Sequence, residues 1–165
     1  MVKDKVPASL SKDSLVDFLM DIPIFADLDG AQLKILADHM TFFEIKTGEI
    51  LFREGDPGDY VCFVVEGGLD VLKEGSETGK QVVIATVAPK RSIGEMSVID
   101  RTARSATVKA RVGTSLLSLP KKSFDDLLDS HPRIGIPILK GIARLLSMNM
   151  RKTSSRLADY MLPDC

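Results

Sequence analysis

The chain has 165 residues, 44% hydrophobic and 27% charged, with a formal net charge of -1. That length and balance suit one folded domain with a substantial core and exclude intrinsic disorder. A near-neutral total gives no support to a nucleic-acid or membrane partner, no apolar run is long enough to span a bilayer, and the opening MVKDKVPASLSKD lacks the apolar core of a secretion signal, so a cytoplasmic protein is expected.

The first elements read as helices. Ser11 can cap a short helix with Leu15, Phe18 and Leu19 on its apolar face. Pro23 blocks its continuation. Asp29 can cap a second helix, where Leu33, Leu36, Ala37 and Met40 recur at helical spacing. A helical segment is therefore expected over 9–40.

From Phe42 the period changes. ILF is followed by REGDPGD, YVCFVV by EGG, LDVL by KEGSETGK and QVVIATV by APKR. Short apolar runs separated by Gly, Asp and Pro point to an antiparallel sandwich or barrel, here over 41–120. SATVKARV alternates most clearly. Ala106, Val108, Ala110 and Val112 are expected to face the core, and Thr107, Lys109 and Arg111 the other side. SLLSL supplies one more strand. Helices then resume over 121–158, first with Phe124, Leu127 and Leu128 on one face. Pro132 and Pro137 punctuate the entry to a long final helix ending near Leu157. There is no internal repeat or linker, and one domain spanning 1–165 is the simplest organisation.

The chain has two cysteines and two histidines. Cys62 lies in the run YVCFVV and reads as a buried small residue. Cys165 is the last residue and is expected to be loose. His39 and His131 form no HxH pair, so neither a metal site nor a catalytic histidine is expected.

The segment RSIGEMSVIDRTARSATV carries the chemistry. Gly94 permits close approach of backbone to a ligand. A short helix starting there would aim free N–H groups at an anion. Arg104 offers paired donors to a phosphate. Ser105 and Ala106 are small and leave room beside the strand. Glu95 accepts hydrogen bonds, which suits the hydroxyls of a sugar rather than a phosphate.

These residues resemble the phosphate-binding cassette of the cyclic nucleotide-binding domain family, which includes the regulatory subunits of protein kinase A and the bacterial catabolite activator protein. The family pattern is Gly-Glu, a short apolar helix, a turn, then Arg, small residues and a strand. Here it reads Gly94-Glu95 and Arg104-Ser105-Ala106-Thr107, and EILFREGDPGDYVCFVVEGGLDVL resembles the early strands of the family. The resemblance implies a mainly β fold, an antiparallel jelly-roll barrel with N-terminal helices and two C-terminal helices. It implies cAMP as ligand, with cGMP also open, no further cofactor, and no chemistry on the nucleotide. Glu95 would accept from the ribose 2′-hydroxyl and Arg104 would pair with the cyclic phosphate. The amides of Ser97 and Ser105 would reach that phosphate. Gly94, Met96 and Ala106 complete the expected contacts.

Two positions depart from the pattern. Arg101 stands where the family usually has glycine, and Ala103 where it has proline. By the same resemblance the base would be covered from the final helix, with Asn149, Met150 and Tyr160 as candidate contacts. Leu139, Ile142, Leu146, Met150 and Leu157 form a stripe that suits packing on the barrel or pairing with a second copy, and a homodimer is favoured. No helix-turn-helix follows the long helix, so DNA binding is not expected; a protein partner is left open. The alternative is an effector domain that has lost nucleotide binding and acts as a protein-interaction module.

Overall fold

A computed structural model describes residues 10–162. Residue 9, expected to open the helical segment, and Cys165 lie outside them. Helix α1 (Lys12–Met20) is capped by Ser11, whose side chain accepts from the Ser14 amide. A 3-10 turn at Pro23–Phe25 follows. Helix α2 (Gly30–Asp38) starts with a reciprocal cap: Asp29 Oδ1 accepts from the Gln32 amide and Gln32 Oε1 from the Asp29 amide, both at 2.9 Å.

Eight strands come next: β1 (Thr41–Ile45), β2 (Ile50–Phe52), β3 (Tyr60–Glu66), β4 (Leu69–Glu74), β5 (Gln81–Val87), β6 (Ser92–Ile93), β7 (Thr107–Ala110) and β8 (Thr114–Pro120). They form two four-stranded antiparallel sheets, ordered β1-β8-β3-β6 and β2-β7-β4-β5. Helix α3 (Glu95–Asp100) is inserted between β6 and β7, and α4 (Lys121–Ser130) and α5 (Pro132–Met161) close the chain. The antiparallel jelly roll with helices at both ends is as the sequence implied.

The core has two parts, and β3 explains why. Val61 and Phe63 pack with the helices, alongside Leu19, Leu36, Leu127 and Ile138. Cys62 and Val64 point the other way, into the barrel with Phe52, Val71, Val108 and Leu116. A strand buried on both faces reads as a continuous apolar run rather than an alternating one, which is why YVCFVV has no polar gap.

Three expectations need correction. Strand β7 stops at Ala110, and Val112 is 46% exposed in the turn to β8 instead of facing the core. Thr107 is buried, because its Oγ1 accepts from the Glu54 amide at 3.0 Å. Pro137 lies inside α5, which runs unbroken from Pro132 past Leu157 to Met161. Proline removes one N–H and frees the carbonyl four residues earlier. That carbonyl, of Arg133, accepts from Gln32 Nε2 at 3.1 Å, so α2 supplies the donor that α5 lacks.

Candidate phosphate-binding cassette

Gly94 sits at the turn from β6 into α3 with φ 90° and ψ 10°, in the left-handed region. A Cβ there would meet the Arg104 guanidinium and the Tyr60 carbonyl oxygen. Glycine is required on both counts. The first amides of α3 have no acceptor within the helix. Arg101 ends the helix at φ 60°. The Asp100 carboxylate then stabilises the turn, accepting from the Thr102 amide at 3.0 Å and hydroxyl at 2.7 Å, and these bonds hold its carboxyl below the ordinary range.

The loop between β2 and β3 clasps the other end of the cassette. Gly55 donates to the Arg104 carbonyl at 2.9 Å, and the Arg104 amide donates to the Asp56 carbonyl at 2.8 Å. Gly58 lies against the Ser97 side chain, leaving no room for a Cβ. Lys73 Nζ bridges the Glu54 carboxylate and the Ser105 carbonyl, each at 2.6 Å. The sequence showed the glycine turn at 55–58, but nothing in it linked that turn, or Lys73, to Arg104.

Arg104 is only 3% exposed. Its Nη1 donates to the Gly94 carbonyl at 3.1 Å and its Nη2 to the Tyr60 carbonyl at 2.7 Å. Its Nε is buried with no partner. Glu95 is 8% exposed, and its Oε2 is also buried and unpartnered. Burial pushes the Glu95 carboxyl above its ordinary range, against hydrogen bonds from its own amide and Ser92 and the field of Arg104. An unpaired buried acceptor and an unpaired buried donor each cost on the order of 1–3 kcal/mol. Both belong to the cassette, and a sugar phosphate offers what each lacks: hydroxyl donors and anionic acceptors.

The remaining expected residues divide in two. Ser97 and Ala106 are buried beside these groups, while Met96 and Ser105 are exposed at the cassette surface. Asn149, Met150 and Tyr160 stand apart, exposed on the distal half of α5. The fold does bring His39 and His131 to 6.4 Å between ring centres. Among the described residues, however, no group of three or more His, Cys, Asp or Glu is placed to hold a metal.

Two antiparallel sheets, helices at both ends and a glycine-opened helix beside a buried arginine define a jelly-roll domain with flanking helices. The sequence profile of the cyclic nucleotide-binding domain matches residues 42–131. That is more than half of the chain, and the chain belongs to this family. A cyclic nucleotide-binding domain from Methylobacillus flagellatus superposes with a TM-score of 0.81 at 28% identity, covering 93% of this chain and 85% of that one. The catabolite activator protein of Thermus thermophilus shares the fold at 24% identity, with a TM-score of 0.74 over 82% of this chain and 62% of that one. In sequence, the chain is 34% identical over 104 residues to a lysophospholipase of Neurospora crassa, covering 63% of this chain and 7% of the enzyme. Among the described residues no helix is long and apolar enough to cross a membrane.

Proposed function

We propose that this domain binds a 3′,5′-cyclic nucleotide, cAMP in the first place, and transmits occupancy by shifting α4 and α5. The observation that carries the reading is the pair of unsatisfied buried atoms, Arg104 Nε and Glu95 Oε2, within the cassette. The cyclic phosphate takes the Arg104 N–H and the opening amides of α3 around Ser97, and Ser105 adds its amide or hydroxyl. The ribose 2′-hydroxyl donates to Glu95. Met96 and Ala106 line the site, and the base is covered by the distal part of α5, from Asn149, Met150 or Tyr160. No bond of the nucleotide is made or broken. The lysophospholipase relative supports no enzymatic reading here, because the match spans 7% of that enzyme. Calorimetry with cAMP and cGMP on the wild type and Arg104→Ala is the test. Binding by the wild type and its loss in the variant support the reading; no heat from either nucleotide on the wild type sinks it.

The same proposal gives α5 a partner. Its distal half carries Met150, Leu157 and Tyr160 exposed, and a second copy of the chain is the proposed cover. Both the conformational shift and this pairing rest on the position of α5 relative to the barrel.

A further inference from the structure

We propose that Phe52 and Tyr60, two residues outside the cassette, form an aromatic clamp that positions the Arg104 guanidinium for an anion; the proposal rests on the nucleotide-binding reading. The guanidinium carbon lies 4.0 Å from the centre of the Phe52 ring and 4.7 Å from that of Tyr60. Both distances are well inside the range of about 6 Å at which a ring face attracts a cation. The two rings stand 6.3 Å apart at an interplanar angle of 70°, so they form two walls of a corner, and the cation occupies that corner.

The need for such a clamp follows from burial. A guanidinium removed from water requires compensation, and a carboxylate is the usual source. Among the described residues no carboxylate pairs with Arg104. Instead two carbonyl oxygens and two ring faces surround it. These supply partial negative charge without neutralising the cation. The full positive charge is thereby kept in a dry site, with one N–H still free. A carboxylate in the same place would compete with an incoming phosphate, whereas a ring face does not.

Tyr60 contributes twice, through its ring and through the carbonyl that accepts from Nη2. Its hydroxyl donates to the Leu51 carbonyl at 3.2 Å. Burial raises that hydroxyl's pKa to about 12, so it stays a neutral donor. Phe52 ends β2 and Tyr60 begins β3. The loop joining them also holds the Arg104 backbone through Gly55 and Asp56. The loop that crosses from one sheet to the other, with the strand ends it joins, therefore grips the arginine by both main chain and side chain.

The test uses Phe52→Leu and Tyr60→Leu, which keep apolar bulk and remove the ring, beside Phe52→Tyr and Tyr60→Phe, which keep it. Two signals are read: the Arg104 Nε–H cross-peak by NMR in the protein alone, and the affinities for cAMP and cGMP. A proton over a ring face resonates upfield. Each leucine variant is expected to move the cross-peak downfield and to weaken nucleotide binding roughly tenfold, while the aromatic variants keep both near wild type. A cross-peak that stays in place would show that the rings do not face the guanidinium, and a mere packing role would lower the melting temperature and leave affinity unchanged. Either outcome overturns the clamp. If Phe52→Leu fails to fold, Tyr60→Leu against Tyr60→Phe decides. Should the wild type take up neither nucleotide, the binding reading falls, and the positioning role falls with it even if the cross-peak moves.

Discussion

Glu95 ties stability to function within one side chain. Its carboxyl is buried, half-satisfied and raised above the ordinary glutamate range by desolvation. A group with a raised folded pKa favours the fold below its unfolded value, and that contribution is lost as pH rises through the raised value. Above that raised value the ionised Glu95 is thus a cost to folding. Glu95→Gln is expected to raise the melting temperature there and to reduce the difference between melts below and above that value. The ionised form is the better acceptor for ribose hydroxyls, so the proposed nucleotide affinity of the wild type should fall as pH drops through the raised pKa. In Glu95→Gln it should be weaker and flat with pH. Thermal melts and titrations on both proteins across that range check the two signs together. Arg104→Lys makes a complementary case. A lysine keeps the charge but loses the planar fork that reaches the Gly94 and Tyr60 carbonyls. Losing charge-assisted bonds worth about 1.5–3 kcal/mol should weaken the nucleotide by roughly tenfold to a hundredfold. Glu95 and Arg104 stand out in the sequence because the segment from Gly94 to Thr107 resembles the family's cassette. Thr107 does not, because simple alternation puts it outward and only the tertiary contact with the Glu54 amide shows why it is buried.

At the scale of elements, the turn after α3 departs most from the family pattern, and its geometry gives the reason for the pattern. Arg101 adopts φ 60°, a conformation that costs a residue with a Cβ about 1–2 kcal/mol. Glycine pays no such penalty but loses about 0.5–1 kcal/mol in backbone entropy on folding. Arg101→Gly is therefore expected to stabilise the chain by up to about 1 kcal/mol, or roughly 2–4 °C in melting temperature for a chain of this size. An unchanged or lower melting temperature would show that the Arg101 side chain makes up the difference. Gln32 is the second case. It completes the cap of α2 and also satisfies the Arg133 carbonyl freed by Pro137. Gln32→Ala removes both bonds and should cost about 1–3 kcal/mol, read by chemical denaturation. The helix caps at Ser11 and Asp29 and the apolar strands were legible in the sequence, since local side-chain chemistry fixes them. The unbroken α5 was not, because a proline signals a break unless a distant donor is known to fill the gap.

On the scale of the molecule, α5 has two halves with different roles. Ile134, Ile138 and Ile142 are buried with Phe25, Leu36 and Phe124, and they anchor the first half. The ion pair from Arg144 to Asp27, at 2.8 Å, is half-exposed on both sides and adds only about 0–1 kcal/mol. Beyond Leu146 the helix leaves the body of the domain, and Met150 and Leu157 are 71% and 59% exposed. Ala143, Leu146, Met150, Thr153, Leu157 and Tyr160 alternate steps of three and four along one side, the spacing that seats one helix against another. This sharpens the dimer expectation, because packing on the barrel is not how the distal stripe is used in a single chain. A charge at Leu157 therefore separates the two states. In a monomer Leu157→Asp alters a solvent-exposed position and should change stability by no more than about 0.5 kcal/mol. In a dimer it places a carboxylate in an apolar seam, so sedimentation equilibrium should show the wild type at twice the chain mass and the variant at one. The melting temperature of the wild type should rise with protein concentration and that of the variant should not, since association stabilises only the folded chain. A wild type that sediments as a monomer at every concentration removes the second copy as the partner of α5.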